Sequence, residues 1–114
     1  MDVRFLGCGD AFGSGGRFNT CIMVTGGGTR FLIDCGATSM VAIGRFGVDP
    51  NGIDSILLTH LHGDHFGGLP FFILHADHVA KRDKPLLVVG PRTTRQRLAA
   101  AMEALFPGSS AKER

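Results

Sequence analysis

The sequence predicts an α/β fold, and three observations support that prediction. Apolar, β-rich segments alternate along the 114 residues with segments whose apolar side chains have helical spacing. Glycine, with 17 residues, is far above its usual share of about 7%, and it clusters in loops at 7–16, 26–28 and 63–68. Apolar residues make up 44% of the chain and charged residues 19%, which is typical of a globular domain.

The first half of the chain is predicted to contain three strands and one helix. Residues 3–8 are a short apolar strand followed by a glycine-rich loop. Residues 19–34 are two β-rich segments around Gly26-Gly27-Gly28, which predicts a hairpin. Residues 38–47 have apolar side chains at helical spacing, and residues 49–52 form a turn.

The second half alternates in the same way. Strands are predicted at residues 53–59 and 85–89. Helices are predicted at residues 70–80 and from 93 or 94 to 106. The polar, glycine-rich residues 60–68 predict a loop. Leu98, Met102 and Leu105 share one face of the last helix, and residues 109–114 are expected to be a frayed tail.

Composition excludes several classes of protein. No apolar run approaches the length of about 18 residues that a membrane helix needs, and the N-terminus does not resemble a secretory signal. The net charge of +2 is too small to indicate a nucleic-acid or membrane partner by itself. Cys8, Cys21 and Cys35 are an odd number of cysteines, which favours reduced thiols and a cytoplasmic location. We expect these cysteines to be small buried residues, and most of the nine phenylalanines to lie in the core.

Four residues with metal-ligating side chains follow the predicted strand at 53–59. In extended backbone His60 and His62 point to the same side, so they can bind one ion. Gly63 allows a turn that brings Asp64 and His65 to a second ion nearby. Imidazole and carboxylate suit Zn²⁺, and also Mn²⁺ or Fe, and Asp64 can act as a general base. The alternative to metal binding is that these residues form a polar loop with histidines on the surface.

The segment His60-Leu-His-Gly-Asp-His65 resembles the signature of the metallo-β-lactamase-fold hydrolases. Thr59, the segment 67–70 and the segment 32–36 fit the same superfamily. The longer string 56–70 most resembles the ribonuclease Z-like branch, whose members trim the 3′ ends of tRNA precursors. The resemblance therefore implies a metal-dependent phosphodiesterase with tRNA or a small phosphodiester as substrate.

The resemblance also implies an architecture and a set of roles. Residues 1–114 would be a single, partial domain: the N-terminal βα half of an αββα sandwich, with a mixed sheet covered by helices. His60 and His62 would serve one metal ion, and Asp64 and His65 a second, with Asp64 also acting as the base. Zn²⁺ is the expected metal, with two ions per complete site. Asp34 would be a structural acid that hydrogen-bonds near the site loop, although a simple turn-capping role is an almost equal alternative.

The chain departs from the family pattern in its length. By the layout of the family, three further metal ligands lie beyond residue 114, so each ion would have two protein ligands, while catalytic zinc usually has three. His75 and His78 are predicted on a helix, where a surface or packing role is expected. We therefore expect either a missing C-terminal half or a homodimer that rebuilds the sandwich, and no membrane partner.

Other functions stay open at this point. The chain could be a catalytically incomplete metal-binding fragment that self-associates, a (thio)esterase or an iron-bearing oxidoreductase of the same fold. Arg92, Arg95 and Arg97 begin the last predicted helix and could contact RNA phosphates, although a solvated helix face is the more common explanation.

Overall fold

A mixed, five-stranded sheet is the centre of the fold in the computed structural model, which describes residues 1–111. The strands are β1 (Asp2–Gly7), β2 (Cys21–Gly26), β3 (Thr29–Ile33), β4 (Ser55–Leu57) and β5 (Leu87–Val89), and they lie in chain order across the sheet. The first two pairings are antiparallel, and the pairings of β4 with β3 and β5 are parallel. The predicted hairpin at 19–34 is confirmed as β2 and β3, with Gly27 and Gly28 at positive φ in its turn.

Within residues 1–111, four α-helices connect and flank the strands. They are α1 (Ser39–Arg45), α2 (Gly63–Phe66), α3 (Leu69–His78) and α4 (Thr94–Leu105). The helices predicted at 38–47, at 70–80 and from 93 or 94 are confirmed within a few residues, and Pro70 lies in the first turn of α3 as expected. The mixed sheet with its helices confirms the α/β prediction. No helix among residues 1–111 has the length and apolar character needed to cross a bilayer.

Three local predictions are wrong. The loop predicted at 60–68 contains the short helix α2, because the amides of His65 and Phe66 both donate to the carbonyl of His62. The strand predicted at 53–59 is only three residues long, although its flanking residues Ile53 and Leu58 are buried. The start of the expected frayed tail forms a 3₁₀ turn at Ser109–Ala111, where the Ser109 hydroxyl donates to the carbonyl of Met102 at 3.1 Å. Residues 112–114 of that tail lie outside the described part of the chain.

The core lies between the helices and one face of the sheet. Leu32 of β3 and Ile56 of β4 are paired in register and are both fully buried. They pack in one cluster with Ile43 of α1 and Phe72 of α3. Of the three residues predicted to face inward from α4, Met102 is buried and Leu98 packs on the core, while Leu105 is 49% exposed. The helices are thus fixed to a single face of the sheet.

The other face of the sheet is mostly apolar, and none of its side chains belongs to the core cluster formed within residues 1–111. Register and alternation place one set of side chains on it, from β1 to β5: Val3, Phe5, Ile22, Val24, Phe31, Ile33, Ser55, Leu57, Leu87 and Val89. We call these residues the outer sheet face. At its two edges Phe5 and Leu87 are each 61% exposed. A face of this composition is what half of a sandwich would present.

Two predictions about burial are wrong in part. Cys21 and Cys35 are buried as expected, but Cys8 is exposed. The phenylalanines are also divided, since Phe72 is buried whereas Phe12 is 90% exposed in the loop after β1. Other exposed phenylalanines, such as Phe5, belong to the outer sheet face or to the helix surfaces.

Arg82 stabilises the connection between α3 and β5 through hydrogen bonds to main-chain carbonyls. Its guanidinium donates to the carbonyls of Pro50 at 3.2 Å, Ile53 at 2.7 Å, Pro85 at 3.0 Å and Lys84 at 2.9 Å. All four acceptors are neutral main-chain oxygens. These bonds hold the segments that precede β4 and β5 beside each other.

Candidate active site

Two loops that follow neighbouring parallel strands pack against each other and form the site. The first follows β3, and the second, with the His-x-His-x-Asp-His motif, follows β4. The amide of Cys35 donates to the carbonyl of His65 at 2.7 Å, and the amide of Gly68 donates to the carbonyl of Cys35 at 3.0 Å. Ligand sites commonly form at the carboxyl ends of parallel strands, and this pairing lies at such a place.

Glycines permit this close packing, but Gly63 is not one of them. A Cβ atom on Gly36 would overlap the carbonyl of Asp64, and one on Gly68 would overlap the carbonyl of Gly36. Gly63 has ordinary helical backbone, and a Cβ atom there would meet no atom within 4 Å. The expectation that the missing Cβ atom of Gly63 allows the turn is therefore not supported, because that backbone also accommodates residues with a Cβ atom.

The motif side chains lie together on the surface. His60 and His62 are exposed, whereas Leu61 between them is 8% exposed and belongs to the core. The ring centroid of His60 lies 4.9 Å from that of His62 and 4.0 Å from that of His65. The Oδ2 atom of Asp64 is 3.3 Å from Nε2 of His65. The structure thus brings all four motif residues into one cluster.

Asp34 lies beneath this cluster and is 2% exposed. Its carboxylate accepts hydrogen bonds from the amide of Thr59 at 2.8 Å and from the hydroxyl of Thr59 at 2.8 Å. The Nδ1 atom of His65 lies 2.7 Å from Oδ2 of the same carboxylate. The hydrogen bonds of Asp34 therefore run to the motif loop rather than to its own turn.

This network sets which ring nitrogens are engaged in hydrogen bonds. An ionised carboxylate only accepts hydrogen bonds, so Nδ1 of His65 is the donor to Asp34. The hydroxyl proton of Thr59 is likewise directed at Asp34, so Nδ1 of His60, at 3.1 Å, donates to the Thr59 oxygen. The Nε2 atoms of His60 and His65 take no part in these bonds, and that of His65 lies 3.3 Å from Oδ2 of Asp64.

The donor set suits a divalent metal, but it is incomplete as it stands. An imidazole whose Nδ1 atom donates to a carboxylate, as that of His65 does to Asp34, is a usual arrangement of metal-binding histidines. The three imidazoles and the Asp64 carboxylate are donors that Zn²⁺ accepts. Within residues 1–111, however, no group of three or more His, Cys, Asp or Glu side chains is arranged to hold one ion.

Two cysteine thiols are buried close to Asp34. Burial raises the pKa of Cys21 to about 11, and it raises the pKa of Cys35 still further. The negative charge of Asp34 adds to both shifts. Both groups therefore remain neutral thiols at physiological pH, which makes them poor nucleophiles and poor metal ligands.

A cavity of about 550 Å³ opens beside the motif. Its lining consists of Ala11, Asn19, Ala37, Leu61, His62, Gly63, Asp64 and Arg97. Asn19 is 3% exposed and donates from its side chain to the carbonyl of Asp10 at 2.8 Å. The amide of Thr38 donates to its Oδ1 atom at 3.3 Å, so Asn19 joins the loop after β1 to the start of α1.

The other candidate residues are not part of this cluster. His75 is half-buried on α3, and its Nδ1 atom has no hydrogen-bond partner among the described residues. His78 is exposed and lines a different cavity with Leu105 and Phe106. The structural role of Asn19 and the position of the exposed Arg97 at the cavity were missed in the sequence, where no local pattern marks either one.

Comparison with known proteins places the chain in a family. A protein-family model described as Anti-Pycsar protein Apyc1 matches residues 1–105. The ribonuclease Z of Lachnoclostridium phytofermentans is 36% identical over 107 residues, which are 94% of this chain and 34% of that protein. The ribonuclease Z of Lachnospira eligens is 38% identical over 92 residues, 81% of this chain and 30% of that protein. The chain thus spans about a third of the length of these relatives.

Solved structures agree with this result. The short form of human tRNase Z superposes with a TM-score of 0.77 at 32% identity, over 92% of this chain and 39% of that one. The metallo-β-lactamase-fold protein YhfI of Bacillus subtilis superposes with a TM-score of 0.68 at 22% identity, over 83% of this chain and 41% of that one, which supports the fold alone. The chain therefore belongs to the family described as Anti-Pycsar protein Apyc1, and it has the metallo-β-lactamase fold that the ribonuclease Z-like proteins share.

Proposed function

We propose that this chain is the metal-binding part of a metal-dependent phosphodiesterase of the ribonuclease Z type. The observation that carries the proposal is the hydrogen bonding of the Asp34 carboxylate to Thr59 and His65, which engages Nδ1 of His65 directly and Nδ1 of His60 through Thr59, and so leaves their Nε2 atoms as the nitrogens for a ligand. A carboxylate in this position is a regular partner of metal-binding histidines. The likeness to ribonucleases Z supports a phosphodiester as the bond that is cleaved.

Each motif residue has a role in this proposal. His60 and His62 would hold one ion, and Asp64 and His65 a second. Zn²⁺ is the expected metal, with Mn²⁺ or Fe as alternatives. When bound, such metals supply Lewis-acid activation of water and neutralise charge on the phosphate. Asp64 would accept the proton of the attacking water, and Asp34 would position His65 without touching the substrate.

The substrate class follows from the same likeness. A tRNA precursor or a small phosphodiester is the proposed substrate. We place the protein in the cytoplasm, because all three cysteines are free thiols, as is usual in a reducing compartment.

The outer sheet face supports a proposal about assembly. We infer that it packs against a second βα layer, as a sandwich of two halves requires. In a solution of this chain alone, only a second copy can supply that layer, so we expect a homodimer. Within a longer protein, a C-terminal half would cover the same face.

A second candidate function has its own support. The described residues lack a preformed group of three metal ligands, and the outer sheet face is open to association. A metal-binding piece that self-associates without turnover would have both features. One result distinguishes the two candidates. A zinc-loaded dimer would hydrolyse phosphodiesters under the first proposal and would not hydrolyse them under the second.

Native mass spectrometry of protein purified without chelators, followed by activity assays, tests these proposals. We expect bound zinc, and hydrolysis of bis(p-nitrophenyl) phosphate in preference to the β-lactam nitrocefin. Asp64→Asn should lower hydrolysis by about 100-fold or more while zinc remains at His60 and His62. His62→Ala should lower zinc occupancy without unfolding the chain, because His62 is exposed, and His78→Ala is the matched control. Full activity in Asp64→Asn, or a preference for nitrocefin, would contradict the phosphodiesterase proposal.

A further inference from the structure

The cavity beside the motif contains an arginine that comes from α4 rather than from the motif loop. Arg97 lines this cavity together with His62 and Asp64. Among the described residues that line it, Arg97 is the one arginine, and no lysine is present. The rest of the lining is small or apolar apart from Asn19, whose side chain is already hydrogen-bonded. Among the described residues that line this cavity, Arg97 is therefore the one with a permanent positive charge.

The position of Arg97 is set by its neighbours along α4. The next residue, Leu98, packs on the core, and Met102, one turn further on, is 3% exposed. The Nη2 atom of Arg97 donates to the carbonyl of Leu61 at 3.4 Å, which is a long hydrogen bond. The guanidinium is thus kept at the motif loop while most of its five N–H donors remain available.

The cavity lining contains one carboxylate, that of Asp64, and it forms no ion pair with Arg97. No Asp or Glu carboxylate within residues 1–111 lies within 4 Å of its guanidinium. A guanidinium is always protonated, so it would repel metal ions bound at the neighbouring motif. An anion bound between the arginine and the ions would be attracted by both, which offsets this repulsion. Phosphate oxygens match the planar fork of an arginine side chain particularly well.

The neighbouring arginines do not share this position. Arg92 and Arg95 line a separate cavity with Ile73 and Val88, between β5 and the helices α3 and α4. If the three arginines formed only a charged, solvated helix face, they would have similar surroundings. Instead, Arg97 lines the cavity at the motif, whereas Arg92 and Arg95 do not. Arg95 therefore provides a matched control on the same helix.

We propose that Arg97 is a positioning residue that binds the non-bridging oxygens of a phosphodiester anion in the cavity beside His62 and Asp64. This inference rests on the proposed function and names the group that the site would hold. A small phosphodiester and a nucleic-acid strand share this chemistry, and the experiment below distinguishes them.

The test is a titration with dimethyl phosphate, a small diester that stays intact, followed by NMR of the arginine Nε–Hε groups. It is run on the full chain, both without metal and loaded with zinc. We expect a saturable shift of the Arg97 resonance and tighter binding in the zinc-loaded form. Arg97→Ala should weaken binding by about tenfold, and Arg97→Lys should restore it only in part, since lysine lacks the planar fork. Arg95→Ala should bind dimethyl phosphate with the same affinity as the wild-type chain.

A parallel titration uses a fluorescein-labelled RNA pentanucleotide with phosphorothioate linkages. Equal losses for both probes in Arg97→Ala would assign the contact to a single phosphodiester, and a larger loss for RNA would assign it to a strand. The absence of a saturable Arg97 shift in both forms, or equal weakening by Arg95→Ala, would overturn the inference. If zinc does not bind but Arg97 still responds to the diester, the proposed function fails and the Arg97 site stands.

Discussion

The Nδ1 atom of His65 lies 2.7 Å from Oδ2 of Asp34, although the two residues are 31 positions apart in the sequence. Asp34 adopts a φ of 65°, a left-handed conformation that costs a residue other than glycine roughly 1 kcal/mol. The conformation is maintained because the Asp34 amide donates to the carbonyl of Leu57 at 2.8 Å while the carboxylate holds Thr59 and His65. One residue thus links the ends of β3 and β4 and orients the site between them.

Asp34→Asn should weaken zinc binding by about 10- to 100-fold. The amide keeps the shape of the side chain and tolerates positive φ, but it cannot accept from Thr59 and His65 as an ionised carboxylate does. Competition with a chromophoric chelator measures the zinc affinity. Asp10→Asn, which changes an exposed loop carboxylate that accepts from Phe12 and Ser14, is the control and should leave that affinity unchanged. Equal zinc affinity in Asp34→Asn and the unchanged chain would show that the carboxylate does not orient the ligands.

Gly36→Ala should destabilise the fold by about 2 kcal/mol or more. The new Cβ atom would overlap the carbonyl of Asp64 and the side chain of Asn19, so the two site loops would have to separate. Gly63→Ala is the matched control, because its Cβ atom meets nothing within 4 Å and alanine favours the helical backbone of α2. Urea unfolding followed by circular dichroism compares the two variants. A loss in Gly63→Ala as large as that in Gly36→Ala would refute this packing argument.

The stability of the fold should fall as the pH rises from about 9 to about 11. Burial raises the pKa of Cys21 from 9.0 to about 11, so the folded state holds this proton more tightly than the unfolded state. The resulting stabilisation is complete below pH 9 and is lost as the pH passes through the pKa of the folded state. For Cys21 this loss amounts to about 2 to 3 kcal/mol.

Urea unfolding at pH 8 and pH 11 measures this dependence. Cys21→Ala should reduce the loss, while Cys8→Ala, which removes the exposed thiol, should not. An identical loss in the two variants would mean that the Cys21 thiol is not the group that titrates.

Phe5→Asp should convert the expected dimer into a monomer at micromolar concentration. Phe5 is 61% exposed on the outer sheet face, and a carboxylate buried there in a dimer would have no partner. Phe12→Asp is the control, because Phe12 is even more exposed, at 90%, but lies in the loop after β1 and not on the sheet. Light scattering coupled to size exclusion gives the mass of each variant. If the wild-type chain is itself a monomer, the proposed homodimer is wrong.

Most of the fold could be predicted from local patterns. Alternating apolar segments, the glycine turn of the hairpin and Pro70 at the start of α3 are signals within a few residues, and the structure confirms them. The helix α2 could not be predicted in this way, because Gly63-Asp64-His65-Phe66 has no apolar period and is set by bonds to the carbonyl of His62.

The site was predictable to the extent that its residues are adjacent in sequence. His60, His62, Asp64 and His65 are recognisable by their spacing alone. Contacts across long separations were not accessible, and Arg97 shows why: it reaches the carbonyl of Leu61 across 36 positions through the docking of α4. The steric requirement at Gly36 is also tertiary, since it arises from the carbonyl of Asp64.

The bonds of Arg82 have a consequence for how the fold responds to ionic strength. Its guanidinium is held by the carbonyls of Pro50, Ile53, Lys84 and Pro85, which carry no net charge. Dissolved ions screen attraction between charged groups over a Debye length of about 10 Å at 0.1 M, but they affect short bonds to neutral oxygens far less. The exposed ion pair between Lys84 and Asp54, at 2.9 Å, will therefore weaken in concentrated salt. The hydrogen bonds of Arg82 to the main chain will weaken far less, and they will continue to hold β5 at the edge of the sheet.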